Sequence, residues 1–525
     1  MTTFAETHKK TVQNFLAGVL LIDDQIIYGD NTETVEILET PEEFTFSPSD
    51  ETETASAPIP SEVNAQIIQN SFAEKGIHCI VHKYISDESI RNISSLMKKS
   101  DVIIFDWELK NEQEQQTTAL EYIKNVISKD MEGFRYLVVY TSNKSEANNS
   151  IIEGWEGVDI EEDDFRILVK KQGGSHVVCC IDIISKSHDG ELAEKIIDGF
   201  SSFSMGFMRN SVLSALESIR NNTFRLLSLY PKEIDEAAIS HYTALQSSSS
   251  CNRADILFRD YVSDLISSQI NDILIYSKSL KSAVSKDSIS SYLSSGVTKA
   301  YLNAKGSALS NINLSELVKI ETLTELSETT FSSLPNPSNF TDKESLEKAF
   351  TRGDQHLSLS KDNENYKKLA FLDCCRNRNM FSEENPPLKF GTIVQSENDY
   401  YICIQPPCDS VRLPGTTAFP FVKVKKSKNS ERMEFVVHLE NGEYLGLRTF
   451  PKPHQEIASF SFNNVCSING DIRAEKKNFQ AESGEKFTWL SELNKEYTQA
   501  LVHRIASNGS RVGMNQLEWL RFKAK

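Results

Sequence analysis

Two predicted strands of this chain each end in carboxylates. The apolar run at residues 102–105 leads into Asp106, and the run at 18–22 leads into Asp23 and Asp24. Unbroken apolar runs are typical of strands that are buried on both faces. The carboxyl ends of parallel strands meet at one edge of an open α/β sheet, where ligands bind. We therefore expect the three acids to lie together.

These residue types suit a divalent cation and phosphoryl chemistry. Mg²⁺ takes oxygen ligands, so Asp24 and Asp106 could supply two of them, and Asp23 could hold a third position through water. Asp106 is also a candidate nucleophile, because a carboxylate can attack a phosphoryl group to give an acyl phosphate. A third apolar run, at 136–140, ends in Thr141, whose hydroxyl could donate a hydrogen bond to a phosphoryl oxygen.

Such a site also needs a fixed positive charge to offset the phosphoryl oxygens, and three lysines are candidates. Lys170 and Lys171 follow an apolar strand predicted at 165–169. Lys186 follows a further candidate strand at 177–184 and precedes a helix. The sequence leaves these alternatives open.

Strands and helices alternate along the first 189 residues, which indicates a parallel, doubly wound sheet. The predicted strands lie at 18–22, 77–84, 102–105, 136–140 and 165–169. The predicted helices lie within 1–17 and at 61–75, 87–98 and 117–128. Between them, residues 31–60 contain eight acidic residues, four prolines and no Lys or Arg. This segment cannot bury enough apolar surface to offset its ordering entropy, so we interpret it as a mobile, solvated insertion.

The composition changes twice beyond this region. Helical spacing of apolar residues predicts helices at 191–230, 234–245, 255–274, 287–302 and 314–326. From residue 388 a period-two pattern predicts short strands, followed by helices at 488–505 and 514–522. We therefore predict a multidomain α+β chain made of an α/β domain (1–189), a helical bundle (190–334), a linker or helical connector (335–387) and a β-rich domain with C-terminal helices (388–525).

Charge and cysteine content limit the function classes. The net charge is −18, yet residues 388–525 carry 19 Lys or Arg against 15 Asp or Glu, so the rest carries −22. This excess of acids argues against general affinity for nucleic acid or anionic membranes. No apolar stretch approaches the ~18 residues needed to span a bilayer, and the N-terminus lacks signal-peptide features. Nine cysteines, including two vicinal pairs, form no disulfide framework, which favours a reducing cytoplasm.

Four segments, in order, resemble the receiver domain of bacterial two-component signalling: VLLIDDQ, VIIFDWEL, LVVYTSN and RILVKK. The resemblance implies a flavodoxin-like fold in which Asp106 accepts a phosphoryl group from a histidine kinase. It further implies that Asp23, Asp24 and the backbone carbonyl of Glu108 help to hold Mg²⁺. Thr141 would be the switch hydroxyl, and a lysine would pair with the phosphate.

Over roughly residues 15–245 the chain is similar to large, atypical bacterial response-receiver proteins, a resemblance that includes the segment SALESIRNNTFRLL. Such proteins are often paired with a histidine-kinase-like or Hsp90-like ATPase, and some belong to defence-type gene clusters. The resemblance implies a phosphoryl acceptor, rather than a turnover enzyme, that changes contacts with a partner or within a homodimer. Two alternatives stay open: a pseudo-receiver scaffold without phosphotransfer, and a nucleic-acid-binding effector acting through residues 388–525.

Overall fold

A computed structural model gives the fold of the chain. It describes residues 3–28, 63–110, 116–129, 134–155, 158–171, 177–186, 188–248, 254–295, 300–302, 308–309, 357–358, 363–376, 385–410, 413, 415–427, 433–439, 441–463, 472, 474–475 and 477–509. The predicted insertion at 31–60 and the helices predicted at 314–326 and 514–522 lie outside these residues. Within them, no helix is both long enough and apolar enough to cross a bilayer.

Strands and helices are numbered here in chain order. The strands are β1 Gly18–Asp23, β2 Ile26–Ile27, β3 Val63–Asn64, β4 His78–Lys83, β5 Val102–Asp106, β6 Glu108–Lys110, β7 Gln116–Thr118, β8 Arg135–Thr141, β9 Val158–Asp163, β10 Arg166–Lys171, β11 Val177–Ser185, β12 Ala300–Leu302, β13 Ala308–Leu309, β14 Leu357–Ser358, β15 Thr392–Ser396, β16 Asp399–Cys403, β17 Thr417–Lys426, β18 Phe435–His438, β19 Tyr444–Thr449, β20 Ile457–Phe462, β21 Asn478–Gln480 and β22 Lys486–Glu492. The helices are α1 Phe4–Phe15, α2 Ala65–Glu74, α3 Asp87–Asn92, α4 Ser94–Lys99, α5 Leu120–Lys129, α6 Lys144–Glu153, α7 Leu192–Ser204, α8 Phe207–Asn221, α9 Thr223–Ser228, α10 Asp235–Ser248, α11 Ala254–Tyr276, α12 Lys278–Ala283, α13 Lys286–Ser294, α14 Asn363–Cys374 and α15 Lys495–Gly509.

The chain divides into two compact units. The first comprises Met1–Asn221 and Tyr276–Gly296, and the second comprises Asn222–Ile275 and Val297–Lys525. The predicted domain boundary at residue 189 stays a prediction, and we note that the first unit continues past it through α7 and α8.

The first unit is built on a seven-stranded sheet in the order β4-β1-β5-β8-β11-β10-β9, in which the first five strands are parallel. Helices cover both faces, because successive side chains of a buried strand point to opposite sides. Ile104 of β5 packs in the cluster that includes residues of α1, α2, α7 and α8. Its neighbours Ile103 and Phe105 pack in the cluster that includes residues of α3 to α6. The predicted doubly wound fold is confirmed.

The last two strands of this sheet form an antiparallel hairpin, β9–β10, beside β11. Asp164 and Phe165 make its tight turn with positive φ angles of 41° and 62°. The strand predicted at 165–169 is therefore not the fifth parallel strand. That strand is β11, in which residues 178–183 are buried and five of the nine residues are Val or Ile, as is typical of a parallel strand.

Helices α7 and α8 replace the first part of the nearly continuous helix predicted at 191–230. The chain breaks between them at Gly206, whose φ of 154° is a conformation that favours glycine. Helix α8 packs against α1, where the buried His8 lies 3.0 Å from both Asn210 Oδ1 and Ser204 Oγ. This hydrogen-bonded histidine fixes the N-terminal helix to α7 and α8.

The second unit contains α9 to α11 and an antiparallel sheet. The strands lie in the order β18-β19-β17-β16-β15-β22-β21, and β20 pairs with β17. One hydrophobic cluster includes residues of α14 and α15, and a second is rich in phenylalanine. The β-rich C-terminal domain is confirmed, but the helix predicted from residue 488 is wrong over its first five residues. These belong to β22, where Phe487 and Trp489 alternate with less buried residues as a strand requires.

Candidate functional site

The three acids predicted from the sequence converge at the carboxyl edge of the parallel sheet. Strands β1 and β5 are neighbours, and Ile22 lies opposite Phe105, so both chains deliver their acids at the same edge. Carboxylate oxygens of Asp23, Asp24 and Asp106 all lie within 4.8 Å of one another. Only 1% of Asp23 and 6% of Asp106 is exposed to solvent.

Lys186 is the lysine that lies at these acids. Its Nζ is 2.8 Å from Asp106 Oδ2 and 3.3 Å from Asp23 Oδ2. The position follows from β11, which runs parallel to β8 with Ser185 opposite Thr141. The backbone N–H of Lys186 then donates to the Thr141 carbonyl at 2.9 Å, which fixes the lysine directly beyond the strand.

The two lysines that the sequence pattern puts first lie elsewhere. Because β10 is antiparallel to β11, Lys170 lies opposite Val177 at the start of β11, at the far edge from Thr141. Its side chain pairs with Glu161 of β9. The backbone of Lys171 pairs with Val158 in the same hairpin. The sequence alternative, Lys186, is therefore the one that the fold brings to the acids.

Thr141 ends β8, the strand on the other side of β5. Tyr140 lies opposite Asp106 in the parallel register, so Thr141 lies one residue past the carboxylate. The Thr141 side chain is buried, and its Oγ1 accepts the N–H of Asn143 at 3.1 Å, just before α6. The hydroxyl hydrogen therefore stays available for a further acceptor.

Glu108 opens β6 two residues after Asp106, and its side chain is exposed. Between them Trp107 is almost fully buried, which anchors the chain where it leaves β5. The backbone at Glu108 thus lies directly after the acid site, where the resemblance to receivers implies a carbonyl ligand for Mg²⁺.

Burial of several acids around one lysine perturbs their protonation. Burial, reinforced by the Asp23 carboxylate, raises the pKa of Asp106 to about 7, while Lys186 opposes the shift. Burial and Asp23 also raise the pKa of Asp24. Burial alone would lower the pKa of Lys186, but its attraction to Asp23 and Asp106 exceeds that cost, and the pKa is raised. The lysine is therefore charged, and the acids compete for it.

The donor set fits a hard divalent cation. Asp24 Oδ1 is buried and has no hydrogen-bond partner among the described residues. A buried, unpaired carboxylate oxygen is costly, so such an atom indicates a position for a ligand. Carboxylate oxygens at this spacing are the ligands that Mg²⁺ takes in proteins.

One nearby acid was not found from the sequence. Asp189 lies three residues after Lys186, and its Oδ2 accepts the backbone N–H of Asn64 at 2.7 Å. Burial raises its pKa, with a further contribution from Asp23. No spacing rule singles out an acid at this position, because the contact joins a segment before α2 to the loop after β11.

Comparison with protein families agrees with this geometry. Residues 15–196 match the family model described as the response receiver domain. The chain contains a response receiver domain. Its receiver domain has the strand order 2-1-3-4-5, with an added hairpin beyond the fifth strand. No curated protein and no solved structure matches the chain. A receiver domain gives the protein a response-regulator-like role in signalling.

Proposed function

We propose that Asp106 accepts a phosphoryl group from a histidine-kinase-like partner, and that its phosphorylation changes contacts with a partner or within a homodimer. The observation that carries this proposal is the position of Lys186 Nζ, 2.8 Å from Asp106 and 3.3 Å from Asp23. A lysine held between two buried acids at a strand edge supplies the fixed charge that an incoming phosphoryl group needs.

The residues have distinct parts in the proposed transfer. A carboxylate oxygen of Asp106 attacks phosphorus, the bond from phosphorus to the donor breaks, and an acyl phosphate remains. Lys186 then pairs with a phosphoryl oxygen, and the Thr141 hydroxyl donates to another. Mg²⁺, held by Asp23, Asp24, Asp106 and the Glu108 carbonyl, would neutralise phosphoryl charge when it is bound.

The state of Asp106 sets a pH requirement on this chemistry. Only the ionised carboxylate is a nucleophile, and the pKa of Asp106 is raised to about 7 by burial and by Asp23. Mg²⁺ binding favours the ionised form, because the cation competes with the proton for the same oxygens. Binding of the cation and readiness for transfer are therefore linked through this carboxylate.

The partner and the wider setting rest on the family resemblance. We propose a histidine-kinase-like or Hsp90-like ATPase as the phosphoryl donor or docking partner, acting in the cytoplasm of a bacterium and serving anti-phage defence. The chain would be a phosphoryl acceptor rather than a turnover enzyme. Its net charge of −18 supports a protein partner over nucleic acid.

The test uses the full chain with Mg²⁺ and acetyl phosphate, and it reads the intact mass. We expect a phosphoryl adduct that the Asp106→Asn variant does not form. Removing a single stabilising charge costs about a hundredfold in rate, so Lys186→Ala should slow the reaction by about that factor. The matched control is Lys170→Ala, which removes a lysine from the same sheet but far from Asp106, where it pairs with Glu161.

Beryllofluoride, which mimics a bound phosphoryl group, distinguishes slow phosphoryl transfer from the absence of a phosphoryl-binding site. Bound beryllofluoride that depends on Mg²⁺ and on Asp106 would support the proposal even where acetyl phosphate reacts slowly. Equal effects of Lys170→Ala and Lys186→Ala would contradict the assigned lysine. If neither reagent reacts and Mg²⁺ does not bind, the proposal is wrong, and a pseudo-receiver that acts as a scaffold takes its place.

A further inference from the structure

A pair of thiols lies outside the receiver domain. Cys374 ends α14, and Cys375 follows it in an isolated bridge with Leu493. Both side chains are buried in one hydrophobic cluster, with their sulfurs 3.7 Å apart. Cys179 and Cys180 are also adjacent, but they lie within β11 and pack in clusters on opposite faces of the sheet. Of these two pairs, the first therefore forms a dithiol and the second does not.

The backbone of Val436 in β18 polarises this pair. Its N–H donates to Cys374 Sγ at 3.4 Å. Its carbonyl accepts from Cys375 Sγ at 3.2 Å and from Cys374 Sγ at the longer distance of 3.5 Å. The thiol of Cys375 and the Val436 N–H lower the pKa of Cys374, although burial opposes them. The hydrogen bond to Cys374 and burial raise the pKa of Cys375. One sulfur is thus prepared as the nucleophile, and the other keeps its proton.

Burial decides which oxidants can reach the pair. Cys374 and Cys375 are 3% and 4% exposed, which excludes bulky disulfides such as oxidised glutathione. Their sequence neighbours Asp373 and Arg376 are exposed, so the chain on both sides of the pair reaches the surface. A molecule close to water in size needs only a small opening at the end of α14. Hydrogen peroxide is an oxidant of that size.

We propose that Cys374 and Cys375 form a peroxide-sensitive dithiol that closes to a disulfide between adjacent residues. The Cys374 sulfur attacks one peroxide oxygen, the O–O bond breaks, and the released hydroxide takes up the thiol proton and leaves as water. The Cys375 sulfur then attacks the resulting sulfenic sulfur, and the S–O bond breaks. A second water leaves with the Cys375 proton. Two thiols are oxidised, and one peroxide is reduced to two waters.

Closure of this ring must strain the peptide between the two cysteines. Adjacent Cα atoms are about 3.8 Å apart across a trans peptide, whereas disulfides usually join Cα atoms about 4.4–6.8 Å apart. The peptide between the two cysteines is held on both sides. The Asn494 N–H donates to the Cys374 carbonyl, and the Arg376 N–H donates to the Glu492 carbonyl, both at 2.8 Å. Oxidation should therefore loosen the end of α14 from β22 and from the start of α15.

The experiment treats the full chain with hydrogen peroxide, alkylates free thiols in denaturant, and maps the labels by peptide mass. We expect the peptide with Cys374 and Cys375 to lose two hydrogens and both labels, and dithiothreitol to restore both. Hydrogen exchange should rise in residues 363–376 and 492–509. Cys179 and Cys180 are the internal control, and they should keep both labels.

Two variants separate the steps. Cys375→Ser should leave Cys374 as a sulfenic acid that dimedone traps, whereas Cys374→Ser should prevent trapping and disulfide formation alike. Retention of both labels on the wild-type peptide would overturn the proposal, as would oxygen added to one sulfur without loss of the neighbouring label. The wild-type label count decides the question even if a variant fails to fold. It also stands apart from the receiver proposal, because phosphorylation of Asp106 does not enter it.

Discussion

The Asp106→Asn substitution should change how the stability of the receiver domain depends on pH. The pKa of Asp106 is about 7 in the folded chain, raised first by burial and then by Asp23, against an ordinary value of 3.8. Between these two pH values the folded state holds a proton that the unfolded state has lost. Wild-type stability must therefore fall as the pH rises through this window, because deprotonation leaves an additional buried charge.

The size of the effect follows from the shift. One pKa unit corresponds to about 1.4 kcal/mol, so the shift of Asp106 corresponds to roughly 4 kcal/mol in total. Asparagine has nearly the same shape and does not titrate. In the absence of Mg²⁺, the variant should gain on the wild type by about 1.4 kcal/mol per pH unit between about pH 4 and pH 7, and the difference should then level off. The substitution also deprives Lys186 of a charged partner, which shifts the difference by a constant but leaves its slope.

The assay follows urea unfolding by the fluorescence of Trp107, which is buried beside Asp106. Replacing Trp155, Trp489 and Trp519 by Phe makes Trp107 the single reporter, so the transition belongs to the receiver domain and not to the whole chain. Measurements in chelator at pH 5, 6, 7 and 8 give the slope. If the unfolding free energies of the variant and the wild type differ by the same amount at all four pH values, the raised pKa of Asp106 is refuted. Added Mg²⁺ should reverse the wild-type loss at pH 8.

Two further predictions concern packing in the first unit. Gly199→Ala should lower the free energy of unfolding by a few kcal/mol, because the added Cβ would lie 2.5 Å from Tyr136 Oη and 2.7 Å from Asp182 Oδ2. Gly190→Ala is the control, since the nearest atom to its Cβ would be 3.9 Å away. Equal melting temperatures of the two variants would contradict this packing. Burial lowers the pKa of His8 below its usual 6.5, so the wild type should lose stability as the pH falls below about 6.5. The non-titrating His8→Gln variant should be less stable than the wild type at pH 8 by about 1–2 kcal/mol. In thermal melts this difference in stability should become smaller towards pH 5. A difference that stays constant with pH would contradict a neutral histidine in the native state.

The acid cluster could be predicted from the sequence because its geometry is local. Asp106 and the pair Asp23-Asp24 each follow an apolar run directly. A parallel sheet brings the ends of such strands together at one edge, so the sequence pattern alone predicts the cluster. The parallel strands and the helices on both faces follow from the alternation of elements.

The lysine could not be assigned in this way, because the two candidate strands, at 165–169 and 177–184, are both apolar and both are followed closely by lysine. What separates them is strand direction. The turn at Asp164 and Phe165 reverses the chain and makes β10 antiparallel. Asp is a common turn residue, but Phe165 at positive φ is unusual, so this turn lacks the Asn-Gly or Asp-Gly pair that marks a hairpin in a sequence. The wrong helix prediction at β22 has a different cause. Over only seven residues, the apolar pattern of a half-buried strand and that of a short helix overlap.

Strand β11 connects the proposed phosphoacceptor site to helix α7. It ends at Ser185, directly before Lys186. Four residues before this lysine, Asp182 accepts two hydrogen bonds from Arg166, at 2.6 and 2.8 Å, and one from Tyr136 at 2.6 Å. Arg166 also donates to the Gly199 carbonyl of α7 at 3.0 Å. Because these partners are polar and at least partly buried, breaking one contact leaves a polar group without its partner, so the network holds the strand and the helix in one arrangement. The added hairpin is therefore more than an edge cover. It supplies the arginine that joins β11, which positions Lys186, to the helix that leads out of the receiver domain into α8.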